Sequence, residues 1–386
     1  MLVVLCATEI TSWGVLYYAF PVLAGHITAA TGWSATALTA ALSASQLVAA
    51  LVGIPVGRWL DQHGPRQVMT AGSLLAVPAL VAVATAQNLA WFIGAWLAVG
   101  MAMGAVLYPP AFAALTRWHG PNRVRALTVL TLAAGLASTV FAPLTAALVS
   151  QLDWRTTYLV LAAILALVTI PGHWLGLRLP WPPRPTVEPQ HTHTNPDRVA
   201  RSPAFLALAV ALSIAAFATF AVVVTLVPLL AERGVDTTTA ALALGLGGAG
   251  QVAGRLGYGT LTRRSSVRVR TLVVLLSMAA TIALLGVLTT VTALIGASVL
   301  AGMARGVFTL LQATAVTDRW GATHYGRLSG LLAAPMTITM ALAPFAATAL
   351  ASLLNGYAAT FLVLGAATAA AALLALVPHP TQKDPS

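Results

Sequence analysis

Long apolar runs, separated by short clusters of arginine, proline, glycine and histidine, recur from one end of the chain to the other. Each is about twenty residues or longer, enough for a helix rising 1.5 Å per residue to cross roughly 30 Å of hydrocarbon. Twelve membrane-spanning helices are predicted, over residues 2–26, 34–59, 67–86, 89–114, 124–148, 155–178, 203–230, 237–261, 271–289, 291–316, 327–350 and 356–378. One connection is long and polar: residues 179–202, LPWPPRPTVEPQHTHTNPDRVARS, rich in Pro, Thr and Arg, read as a linker. The expected fold is an all-α membrane protein in four parts: a six-helix bundle at 1–178, the linker at 179–202, a second six-helix bundle at 203–378 and a tail at 379–386.

Composition agrees with a lipid-facing surface. Of 386 residues 59% are hydrophobic and 8% charged, against about 25% charged in soluble domains. A net charge of +11 would suggest nucleic acid in a soluble protein, but here the arginines report orientation instead. Fifteen of nineteen lie at alternate connections, Arg58, Arg66, Arg117, Arg123 and Arg125 among them, while Arg155 and Arg233 fall on the other side. The positive-inside rule makes the first group cytoplasmic, with both termini and the linker. A multi-pass cell-membrane protein, monomeric and without a nucleic-acid partner, is the expectation. The first run lacks a basic leader and a cleavage site, so it is expected to be retained as a span. Cys6 is the one cysteine, which excludes intramolecular disulfides. His191 and His193 are too few ligands for a metal centre, and neither metal nor cofactor is expected.

The two halves match at a constant offset. GMAMG at 100–104 precedes Arg117 and Trp118, and GMARG at 302–306 precedes Arg319 and Trp320, every pair 202 positions apart. The same shift carries Gly57 onto Gly259 and Arg125 onto Arg327. Chance matching among Gly, Ala and Leu would not also carry Arg and Trp. A duplicated six-helix unit is the plan of transporters whose halves rock about a site near the bilayer midplane.

After the second span comes GIPVGRWLDQHGPR, residues 53–66. It resembles the loop signature between the second and third helices of the major facilitator superfamily, with Gly57, Asp61, Gly64 and Arg66 in the signature's places. Gln62 and Pro65 depart from it where a basic side chain is common. The resemblance implies a conformational gate in which Asp61 pairs with Arg66 or Arg117; the plainer alternative is an ordinary polar loop. The second half keeps Gly259 but puts Arg263 in the place of Asp61, so a latch there is degenerate. Other pieces, LDWRTTY at 152–158, YPPAFAAL at 108–115 and YGRLSGLLAAP at 325–335, are similar to superfamily members. SWGVLYYAF at 12–20 and GRLGYG at 254–259 look most like the monocarboxylate and oxalate/formate porter branch.

Three charges lie well inside predicted spans: Glu9, Arg255 and Arg305. Each costs about 2.5–3.5 kcal/mol at a helix centre on insertion scales, so each should face a wet cavity or a partner. Arg305 has Thr309 and Gln312 on its face, and its repeat counterpart is Met103, so the fold itself does not require an arginine there. A fixed, always-charged fork suits a carboxylate, sulfonate or phosphonate. Arg255 shares a face with Gln251 and Tyr258. In monocarboxylate porters an arginine at the matching place contacts the substrate carboxylate, and the resemblance implies that role; Gln251 departs from the acidic residue those porters often carry. Glu9 stands about seven residues, or roughly 10 Å, into the first span. Trp13, Tyr17 and Phe20 follow it in a stripe that can line a cavity, and a carboxyl in such a setting can exchange a proton when access alternates.

The expected function is secondary active transport of a small organic anion, a monocarboxylate first, coupled to a proton. Arg305, Arg255, Gln312, Tyr17 and Trp13 would bind the substrate and Glu9 would exchange the proton. The opposite substrate class, a hydrophobic or cationic compound driven out by protons, would instead use Glu9 to attract the cation. A membrane enzyme or a receptor is disfavoured, because no metal-ligand set, nucleophile elbow or phosphate loop is present.

Overall fold

The computed structural model describes residues 1–119, 123–181, 196–320, 325–374 and 376–377. Twelve long helices stand among them: α1 (Leu2–Thr31), α2 (Ala35–His63), α3 (Pro65–Ala84), α4 (Leu89–His119), α5 (Arg123–Gly135 with Ala137–Val149), α6 (Trp154–Gly176), α7 (Pro203–Glu232), α8 (Thr237–Arg264), α9 (Val267–Val287), α10 (Val291–Thr314), α11 (Tyr325–Leu353) and α12 (Tyr357–Leu374). Eleven are apolar enough to cross a membrane on length and hydropathy alone. The other is α8, rich in glycine and carrying Arg255. The predicted spans differ from these helices by a few residues at their ends.

The 202-residue shift is built into the backbone. Helix α2 begins at Ala35 and α8 at Thr237; α3 at Pro65 and α9 at Val267; α4 at Leu89 and α10 at Val291; α5 at Arg123 and α11 at Tyr325. The caps follow the same shift. The Ser34 hydroxyl accepts the Ala37 N–H at the start of α2, and the Asp236 carboxylate accepts the Thr239 N–H at the start of α8.

Helix packing repeats it again. A Cβ at Gly100 would collide with the Ser45 carbonyl oxygen, and one at Gly104 would lie 2.8 Å from that of Ala49. In the second half, a Cβ at Gly302 would collide with the Gly247 carbonyl oxygen and one at Gly306 with that of Gln251. Ser45 and Gly247, like Ala49 and Gln251, are again 202 positions apart. The paired glycine motifs are therefore crossings at which α4 meets α2 and α10 meets α8, backbone against backbone.

Within each half, α3 packs on α4 and α6 as α9 packs on α10 and α12. The halves meet where α5 lies on α8, α2 on α11 and α1 on α7. These contacts favour the end away from the termini. Ser43 accepts the Phe345 N–H at 3.0 Å, Thr139 donates to the Gly245 carbonyl at 2.8 Å, and the far ends of α1 and α7 share one buried core. Towards the termini the helices separate: a Cβ at Gly57 of α2 or Gly330 of α11 would meet nothing within 4 Å.

The two arginines on the far side close helix ends. Arg155 donates to the Ala84 carbonyl at 2.7 Å at the end of α3, and Arg233 donates to the Gly286 carbonyl at 2.6 Å at the end of α9. Carboxylates do the converse. Asp153 accepts the first N–H groups of α6, and Glu232 accepts the Tyr357 N–H at the start of α12. Equivalent helices of the two halves are thus capped alike by residues at unrelated positions.

Candidate functional site

A cavity of about 380 Å³ lies at the centre of the molecule. Its walls come from α1, α2, α4, α5, α7, α8, α10 and α11, while α3, α6, α9 and α12 support them from outside. It is sealed at the far end, where the halves pack together, and lies toward the end where they part.

Five residues read from the sequence as substrate ligands, Trp13, Tyr17, Arg255, Arg305 and Gln312, converge on this cavity. The two arginines come from the second half. Arg255 is 7% exposed, and one guanidinium nitrogen donates to the Thr131 carbonyl on α5. Its Nε, like the Nε of Arg305, is buried without a hydrogen-bond partner. Among the described residues no carboxylate lines the cavity, and none forms an ion pair with either arginine. Arg305 also forms part of the wall of a much smaller chamber between α7, α8, α9 and α10.

Glu9 does not line the cavity. It faces inward in the first half, one turn beyond Leu5, which packs against α4 and α5, and its two oxygens are fully buried without a hydrogen-bond partner. Trp13 lies one turn on, and its indole N–H is likewise buried without a hydrogen-bond partner. The Tyr108 phenol is in electrostatic reach of both Glu9 and Arg255. The expected stripe of Trp13, Tyr17 and Phe20 also divides. Phe20 turns away to pack on Trp96, ring centroids 5.3 Å apart.

That division has a local cause. Residues Gly14–Tyr18 form a π-helical turn inside α1, which inserts one extra residue into the helical register. As a result both Tyr17 and Tyr18 border the cavity, although neighbours in a regular helix point about 100° apart. A Cβ at Gly14 would overlap the Phe141 ring on α5, so the absence of a side chain is what lets this turn approach.

Tyr108 arrives by a second irregularity. Helix α4 breaks at Leu107, which is extended at φ −86° and ψ −168°, and resumes at Tyr108. Pro109 and Pro110 have no N–H to return to the carbonyls of Ala105 and Val106, which accounts for the break. Its counterpart α10 runs unbroken from Val291 to Thr314.

The gate residues divide as well. Gly64 has φ +83°, a turn open to glycine, and a Cβ there would press on the Trp181 ring at 3.2 Å. Arg66 turns to α6, where its Nε donates to the Trp174 carbonyl at 2.9 Å and its guanidinium lies 3.9 Å over the Trp174 ring. The last carbonyls of α6 lack intrahelical donors, so an arginine is well placed there. Arg117 lies 4.6 Å over the Trp181 ring. The side chains of Asp61 and Arg58 lie outside the described residues, as do linker residues 182–195, with His191 and His193, and residues 378–386.

Sequence reasoning missed some clusters altogether. In the second half Arg270 pairs with Asp318, Arg319 donates to Thr271 at 2.7 Å, and Tyr258 shares a hydrogen bond with Thr314. In the first half His173 is fully buried, with Nδ1 2.7 Å from the Ser73 hydroxyl, joining α6 to α3.

The fold, the duplicated bundle and the glycine crossings can now be set beside known proteins. The family model of the Major Facilitator Superfamily matches residues 5–292. The chain belongs to the Major Facilitator Superfamily. Monocarboxylate transporter 11 of Homo sapiens is 30% identical over 249 residues, 63% of this chain and 51% of that one. Monocarboxylate transporter 13 of Rattus norvegicus is 29% identical over 116 residues, 29% of this chain and 26% of that one. The chain thus spans about half or less of the length of these curated relatives. Among solved structures, the bacterial homolog of the human lysosomal transporter Spinster, inward-facing and unoccupied, superposes with a TM-score of 0.71 at 16% identity, covering 97% of this chain and 94% of that one. That likeness is one of fold. The family match and the long apolar helices make the protein a multi-pass membrane protein.

Proposed function

We propose that the protein carries a small organic anion, a monocarboxylate in the first place, across the cell membrane by alternating access coupled to a proton. The observation that carries this reading is the pair of arginines on one cavity wall, each with a buried unpartnered Nε and neither facing a carboxylate among the described residues. A cation is repelled by such a wall, whereas an anion completes it. Gln312, Tyr17 and Trp13 supply further contacts around the bound acid. The monocarboxylate transporters among its relatives support the same substrate class.

With the arginine-rich connections in the cytoplasm, both termini are cytoplasmic and the cavity faces inward. Glu9 is the group assigned to proton exchange, acting on the anion site through Tyr108. Gly57, Asp61, Gly64, Arg66 and Arg117 form the gate that closes when the cytoplasmic ends of α2 and α11 come together. The carrier works as a monomer.

Uptake into proteoliposomes, corrected for protein-free vesicles, tests the reading. Carboxylates should accumulate, and faster with an imposed pH gradient. Accumulation of lipophilic cations with no carboxylate flux would overturn it.

A further inference from the structure

The two sides of the cavity differ in chemistry. The arginines stand on α8 and α10. Facing them from α1 and α4 are Trp13, Tyr17, Tyr18 and Tyr108, extended by Phe220 of α7. These five rings form a connected set: Trp13 is 5.0 Å from Tyr108 and 5.7 Å from Tyr17, Tyr17 is 5.4 Å from Tyr18 and 5.8 Å from Phe220, all centroid to centroid. Most meet edge to face or tilted, the arrangement aromatic rings prefer among themselves and toward a ring inserted between them.

Two distortions of the backbone put the rings there. The π-turn at Gly14–Tyr18 adds a second tyrosine to the wall, and the break at Leu107 brings Tyr108 to it. Neither distortion recurs in the second half, where α7 and α10 are regular helices at the corresponding positions. The duplicated fold therefore does not demand them, and local irregularity of this kind is characteristic of functional sites.

We infer that the transported acid is an aromatic carboxylate, its carboxyl group held by Arg255 and Arg305 and its ring seated against Trp13, Tyr17, Tyr18 and Tyr108. The inference rests on the anion-carrier reading and narrows it. A two- or three-carbon acid would satisfy the arginines and leave the aromatic wall wetted. A cavity of about 380 Å³ accommodates a ring-bearing acid, within the range of ordinary small-molecule sites. The Tyr17 hydroxyl, buried and without a partner, is a further donor for a polar ring substituent or the carboxylate.

The test is calorimetric titration of the purified full chain in detergent at neutral pH with benzoate, cyclohexanecarboxylate, acetate and benzylammonium. Cyclohexanecarboxylate matches benzoate in size and charge but has no π-face. Benzoate is expected to bind about two- to tenfold more tightly than cyclohexanecarboxylate, the scale of ring contacts alone, and roughly tenfold or more tightly than acetate, which also lacks the buried area. Benzylammonium should not bind. Tyr17→Leu and Tyr108→Leu, each checked for an unchanged gel-filtration profile, should narrow the ratio of benzoate to cyclohexanecarboxylate affinity. Equal affinity for benzoate and cyclohexanecarboxylate, or the same ratio in both variants as in wild type, would overturn the aromatic assignment and leave the anion reading intact. Binding of benzylammonium with no binding of any acid would overturn both.

Discussion

The guanidinium of Arg255 donates to the backbone carbonyl of Thr131, so the cationic wall of the cavity is tied across the molecule to α5. In the proposed reading one side chain thus serves both the anion site and the contact between the two halves. An anion that engages Arg255 acts on the interface along which the halves must rock, which gives substrate binding a direct path to the conformational change.

Replacing Arg255 by lysine separates these tasks. A point charge cannot hold a carbonyl and a carboxylate as a planar fork does. Arg255→Lys is expected to weaken carboxylate binding by about tenfold, on the order of one charge-assisted hydrogen bond, and to lower the melting temperature of the unliganded protein. Calorimetric titration and a thermal melt read the two effects separately.

The glycines divide into two kinds. Gly302 lies against the Gly247 backbone, whereas Gly57 has nothing near it. Gly302→Ala should therefore destabilise by about 1–3 kcal/mol through overpacking, seen as a lowered melting temperature. Gly57→Ala should leave stability unchanged or raise it by up to about 1 kcal/mol through helix propensity, yet slow transport, because the proposed gate closes α2 against α11. A slow but thermally stable Gly57→Ala carrier is the outcome that supports the gate.

Asp153 gives a pH dependence with a defined sign. The Thr156 side chain, then the Thr156 and Arg155 backbone N–H groups, stabilise its carboxylate and hold its pKa below the ordinary value. A lowered folded-state pKa contributes stability that is fully present above the unfolded value of about 4 and lost as pH falls through the folded value. Asp153→Ala should cost about 1 kcal/mol at neutral pH. Asp153→Asn, which keeps a capping oxygen, should flatten the acid side of the melting-temperature profile. An unchanged profile would remove Asp153 from this role.

Glu9 is assigned to coupling rather than to binding because it stands behind the cavity wall. Glu9→Gln should abolish the stimulation of uptake by a pH gradient while carboxylate affinity stays within about twofold of wild type, a change of less than 0.5 kcal/mol. Loss of affinity comparable to that of the arginine variants would place Glu9 in the anion site instead.

Much of this was legible in the sequence because charge in an apolar run is conspicuous. Arg255 and Arg305 stood out for that reason, and with them Gln312, two turns along the same face as Arg305. The 202-residue offset was legible from GMAMG and GMARG, although only the structure shows those glycines meeting the carbonyls of Ser45 and Gly247. Helical phase was the part that misled. Periodicity of 3.6 residues carried Glu9, Trp13, Tyr17 and Phe20 along one face, but the π-turn at Gly14–Tyr18 shifts the later part of it, with Phe20 on Trp96, while Glu9, in the regular helix before the turn, is buried inside the bundle. Tyr18 and Tyr108 were missed for the same reason, since each depends on a local break in regular geometry. Pro109 and Pro110 were the available signal for the second. Arg66 and Arg117 were read as alternative partners for Asp61, whose side chain lies outside the described residues; what the sequence did not reveal is that the end of α6 offers Arg66 a carbonyl and an indole ring.

The central claim is that two arginines without a carboxylate partner among the described residues make this cavity an anion site, and equilibrium titration of carboxylates into purified Arg255→Gln and Arg305→Gln variants tests it most directly. Each glutamine keeps a polar side chain of similar reach and removes the charge. The account predicts that wild type binds the acid and that each variant loses at least about tenfold in affinity, or 1.4 kcal/mol, while a thermal melt shows both remain folded. Wild-type affinity in both variants would contradict it.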